Sequence, residues 1–104
     1  MAWIVLVLSG VLEAVWATAL GRSEGLGRTG PSVVFAVALI FSMGGLAFAM
    51  RTLPTGTSYA VWVGIGAALT VGFAMATGEE SASLVKLLLI LGIVGCVIGL
   101  KILP

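Results

Sequence analysis

Histidine is absent from the 104-residue sequence, and cysteine occurs once, at Cys96. Without histidine there is no imidazole metal site, no Ser/His or Cys/His catalytic pair and no imidazole proton relay. A single cysteine closes no intrachain disulfide and holds no metal cluster. Charge is scarce too: 9% of residues are charged, against about 25% in an average soluble domain. A net charge of +1 leaves no basic footprint for nucleic acid. Neither cofactor nor metal is expected, and enzyme chemistry loses its usual parts. What remains is apolar. The 61% of hydrophobic residues leave too few polar groups to cover a water-facing surface, and the 15 glycines follow no collagen-like period. The sequence is that of an integral membrane protein.

Polar punctuation divides the chain into four apolar stretches, about 3–20, 31–50, 58–77 and 84–103, within one domain, 1–104. Each is 18 to 20 residues long, close to the ~20 that cross a ~30 Å hydrocarbon core as a helix. Strand alternation is missing, and a closed barrel needs about 8 strands. Pro31 and Pro54 suit a helix start and a turn. Loops of 6 to 10 residues make neighbouring spans antiparallel. The expected fold is an all-α membrane protein of four transmembrane helices. Ala17-Thr18-Ala19 imitates a leader cleavage site, but the start Met1-Ala2-Trp3 lacks basic residues and Glu13 interrupts the apolar run, so the first stretch is read as a span.

Loop charges show no orientation bias. Arg51 and Lys101 fall on one side, and Arg22, Arg28 and Lys86 on the other, too even a division to fix topology. Insertion in both directions would pair two copies about an axis in the membrane plane, the geometry of inverted repeats. Four helices are also too few to shield a polar pathway from lipid. An antiparallel homodimer is therefore the expected assembly. Gly92, Gly95 and Gly99 share one face of the fourth span and offer a docking stripe, with packing inside the monomer as the alternative.

Glu13 is the one ionisable residue far from an interface, roughly 15 Å below the Met1 end by helical rise. An intramembrane carboxyl is expensive and marks a functional site by default. It can hold a proton and a cation in turn; the plainer alternative is a protonated Glu that only bonds a neighbouring helix. Ser9, Gly10, Trp16 and Ala17 share its helix face. Gly10 and Ala17 leave room beside the carboxyl, and Trp16 offers a π face to a cation or sits as a belt residue. Tyr59 and Trp62 are three apart on one face of the third span: Trp62 is a candidate wall for a cation pocket, and Tyr59 a candidate for a hydrogen bond to Glu13 or for the interface belt. Gly64 and Gly66 read as a hinge or as close-packing residues. Ser42 has three candidate partners: Glu13, the ligand or the Ala38 carbonyl.

At these residues the chain resembles the small multidrug resistance family, and within it the guanidinium-exporter subtype. The matching segments are Gly10-Val-Leu-Glu13-Ala-Val-Trp16-Ala17-Thr-Ala19-Leu20, then Ser23-x-Gly25, and Leu53-Pro54-x-Gly56-Thr57-x-Tyr59-Ala60-Val61-Trp62-x-Gly64-Ile65-Gly66-Ala67. Glu followed three residues later by Trp separates this subtype from the quaternary-ammonium exporters, which usually carry Gly-Thr there. Where family members commonly have Lys, this chain has Gly21 followed by Arg22, and its third loop reads Glu79-Glu80 in place of Glu-Pro. The resemblance implies a proton-coupled antiporter of the bacterial cytoplasmic membrane, working by alternating access as an antiparallel dual-topology homodimer. It implies that Glu13 binds proton and small cation competitively, that Trp16 and Ser42 bond or orient Glu13, and that Tyr59 and Trp62 line the pocket. Its partners would be protons, a guanidinium-like cation, lipid and a second copy. Two other classes stand beside this one: a multidrug exporter of quaternary ammonium and other hydrophobic cations, and a non-transporting helper subunit in which Glu13 is an assembly contact.

Overall fold

In lipid a chain must satisfy its own backbone N–H and C=O groups, which restricts an apolar run to a helix or a closed barrel. The computed structural model, which describes residues 1–103, has four helices and no strand among them. Pro104, the last residue of the expected domain, lies outside the described residues. The helices are α1 (Ala2–Arg22), α2 (Thr29–Ala49), α3 (Thr55–Ala76) and α4 (Leu84–Ile102), and each is long and apolar enough to cross a membrane.

The helix ends differ by up to three residues from the apolar stretches because backbone pairing outruns hydropathy. α1 continues through Gly21 and Arg22, and α2 begins at Thr29. Pro31 thus lies inside the first turn of α2, where its missing N–H is no loss. α3 starts directly after Pro54, whose φ of −58° suits a helix entry. The Ser83 hydroxyl caps α4 by accepting the Lys86 N–H at 3.1 Å. At the end of α1, buried Ser23 donates to the Leu20 carbonyl and accepts the Leu26 N–H, pinning a tight left-handed turn at Glu24, Gly25 and Leu26.

The helices form a slab of 43 × 34 × 17 Å. α1 packs on both α2 and α3, α3 also packs on α4, and α2 barely meets α3. Ala38, Ser42, Leu46 and Ala49 make the one buried stripe of α2. Leu6, Leu46, Ala49, Val61 and Trp62 form the core between α1, α2 and α3, with Trp3, Met50, Leu53 and Val97 around it. Most remaining apolar side chains face outward, as a lipid-solvated protein permits. α4 buries no residue at all.

Candidate functional site

The junction of α1, α2 and α3 is held by small and polar side chains, because apolar surface gives helices no reason to associate in a solvent of acyl chains. A Cβ on Gly45 of α2 would stand 2.8 Å from Ser9 Cβ, and one on Gly10 of α1 would stand 2.9 Å from Ile65 Cβ of α3. Both contacts require glycine. Across this close approach Ser42 Oγ donates to the Ser9 carbonyl at 2.7 Å, and Trp62 Nε1 donates to Ser42 Oγ at 3.1 Å. Ser9 Oγ donates in turn to the Leu6 carbonyl at 2.8 Å. Ser9, Ser42 and Trp62 are all buried, so each bond is made where water cannot replace it.

α1 runs on to Arg22, which puts Glu13 near the middle of the helix, one turn beyond Ser9. Its carboxyl group occupies the space where a Cβ on Gly66 would lie, so Gly66 of α3 is its seat. Glu13 Oε1 is buried and has no hydrogen-bond partner, and the same is true of the Trp16 indole nitrogen. An acceptor without a donor and a donor without an acceptor thus lie one turn apart on α1. Trp16 belongs to a ladder of rings from three helices. Trp16 meets Phe35 edge-on at 5.9 Å and Trp62 at 6.4 Å, and Trp62 stacks obliquely on Tyr59 at 5.7 Å. Phe35 comes from α2, Trp16 from α1, and Trp62 and Tyr59 from α3.

The structure therefore brings Ser9, Gly10, Glu13, Trp16, Ser42 and Trp62 to one junction. Tyr59 stands at its edge, 54% exposed. Among the described residues no hydrogen bond joins Tyr59 or Ser42 to Glu13; Ser42 donates neither to Glu13 nor to the Ala38 carbonyl but to the Ser9 carbonyl across the helix pair. Gly64 and Gly66 sit in an unbroken α3, each at a close approach: Gly64 under Val97 of α4, Gly66 under Glu13. Gly92, Gly95 and Gly99 touch nothing that a Cβ would meet within 4 Å, so they do not pack inside the monomer. Two members of the junction escaped the sequence reading. Gly45 had a signal, the Gly44-Gly45 pair in an apolar helix, whereas Phe35 had none, being one apolar residue among many.

The profile of the family described as Small Multidrug Resistance protein matches residues 1–94. The chain belongs to the small multidrug resistance family. Among its relatives is a protein of Proteus vulgaris named guanidinium exporter, 46% identical over 102 residues that cover 98% of each chain. Proteins of the same name from Yersinia pestis and Citrobacter freundii are 47% and 50% identical, over 98% of this chain and 98% and 97% of theirs. As a small multidrug resistance protein with four spans and bacterial relatives, the chain is a multi-pass protein of the bacterial inner membrane. These relatives are named as exporters, not as enzymes.

Proposed function

We propose that this protein exports guanidinium and small substituted guanidinium ions in exchange for protons. The supporting observation is the buried Glu13 oxygen, which has no hydrogen-bond partner and lies one turn along α1 from Trp16, whose ring stands 6.4 Å from that of Trp62. A guanidinium ion is planar, and its N–H fork matches a carboxylate in two parallel bonds, while flat cations favour aromatic faces. The relatives' printed name supports the same substrate. Glu13 holds proton and cation in turn, each displacing the other, so inward proton movement drives outward cation movement. Gly66 gives the carboxyl its place. Ser42 and Ser9 fix the turn of α1 from which Glu13 projects, and Gly10 lets α3 approach that turn. Tyr59 lines the entrance.

One chain, 1–104, acts as a single four-helix domain, and two such chains of opposite orientation form the working antiparallel homodimer. The open glycine stripe of α4, Gly92, Gly95 and Gly99, packs the two copies together. Gly64 and Gly66 serve as the hinge at which α3 alternates between the two access states. A second reading, export of quaternary ammonium ions, draws support from the ring ladder itself, since an aromatic cage needs no hydrogen bond to hold a cation.

The two readings part in a transport assay. Purified protein in liposomes on a solid-supported membrane is expected to give currents with guanidinium and little with tetramethylammonium or tetrapropylammonium. Glu13→Gln is expected to abolish them. Currents with the quaternary ions alone would move the protein to the multidrug class; silence with all three cations from folded protein would favour the helper subunit.

A further inference from the structure

On the side of α1 turned away from Glu13 lies an open, mostly apolar groove of about 550 Å³. On α1 it is lined by Val11, Val15, Thr18 and Arg22 together with Ala14 and Ala19, with Val34 of α2 and Phe73 of α3 among its other lining residues. At about 100° per residue, the α1 residues that line it stand roughly 100–180° round the helix from Glu13, so the groove opens on a different face of α1 from the carboxyl group. From Val11 to Arg22 it runs about 16 Å along the helix axis, close to half of a ~30 Å hydrocarbon core. The groove is thus one leaflet deep, from the interface to the midplane.

Its mouth carries both signs of charge. Arg22 lies over the Phe73 ring at 5.4 Å and donates from Nε to Glu79 Oε1 at 2.9 Å. Both side chains of this pair remain nearly half exposed. Arg28 reaches the Arg22 carbonyl at 3.5 Å, and Glu24 of the same loop offsets its charge, so segment 22–28 together with Glu79 has no net charge. An anionic headgroup finds no excess of cation here. A zwitterionic headgroup finds a guanidinium for its phosphate and a carboxylate for its ammonium.

We propose that the groove between Val11 and Arg22 holds one acyl chain of a zwitterionic phospholipid with a primary ammonium headgroup, the phosphate on Arg22 and the ammonium on Glu79. Phosphatidylethanolamine has this chemistry; phosphatidylcholine lacks the N–H donors that a charge-assisted bond to Glu79 requires. The lipid would brace α1 from behind, opposite the side on which Glu13 works. This assignment stands independently of the transported ion.

The test is native mass spectrometry of the protein released from vesicles of equimolar dioleoyl phosphatidylethanolamine, phosphatidylglycerol and phosphatidylcholine. One phosphatidylethanolamine per protomer is expected to survive, in about tenfold excess over phosphatidylcholine, as one charge-assisted hydrogen bond provides. Val15→Phe, which fills the groove at an exposed position, is expected to abolish the retention, and Glu79→Gln to abolish the preference over phosphatidylcholine while leaving a lipid bound. Preferential retention of phosphatidylglycerol, no retention at all, or retention unchanged in Val15→Phe would overturn the assignment. So would dissociation of the dimer in Val15→Phe, which would mean that a second copy covers the groove.

Discussion

The junction of α1, α2 and α3 and the fourth helix use glycine in opposite ways. At the junction Gly10, Gly45 and Gly66 each sit under an atom that leaves no room for a Cβ. On α4, Gly92, Gly95 and Gly99 face open space, and no residue of that helix is buried. Yet α4 is the most apolar of the four spans. In water such a helix would be the core; in a bilayer, hydropathy selects what enters the membrane and close approach selects what packs. The candidate site consequently lies in the polar, glycine-lined part of the chain, and the most hydrophobic part is the chain's outer surface.

This contrast can be broken by adding single methyl groups. Gly45→Ala is expected to have the largest effect, because its Cβ meets Ser9 Cβ close to the α1 backbone. Overpacking of this kind costs about 1–3 kcal/mol, more than the ~1 kcal/mol that alanine gains in a helix, and denaturant titration in micelles will read the difference. Gly66→Ala meets the far end of the flexible Glu13 side chain instead. The fold should survive and the carboxyl should shift, so guanidinium affinity is expected to fall about tenfold, or ~1.4 kcal/mol, with the unfolding midpoint little changed; calorimetry measures the first and the micelle titration the second. Gly95→Ala is expected to leave the single chain within about 0.5 kcal/mol of its parent. Its effect, if α4 packs against a second copy, is confined to the dimer, and sedimentation equilibrium in detergent will show it as weakened association.

Much of this was legible in the residues themselves. The four spans follow from run length alone, and Glu13 stands out because no other charge lies so deep. The mid-membrane hydroxyl of Ser42 was recognisable, but its partner was not. The bond to the Ser9 carbonyl depends on the register of α2 against α1, which Gly45 sets by admitting Ser9. The seat of the carboxyl at Gly66 likewise depends on how α3 crosses α1. Seen in sequence, Gly64 and Gly66 look equivalent; in the fold one faces Val97 of α4 and the other faces Glu13. The outward glycines of α4 were visible as a stripe, whereas the absence of any neighbour within the chain is a property of the slab.

The central claim is that one carboxyl group serves proton and cation in turn. Guanidinium binding measured by isothermal titration calorimetry across a pH series tests it most directly. If Glu13 is shared, the apparent Kd rises as pH falls, approaching tenfold per pH unit once the proton-bound form dominates. The Glu13→Gln protein should bind at no pH in the series. An affinity independent of pH, or guanidinium binding that survives in Glu13→Gln, would contradict the account.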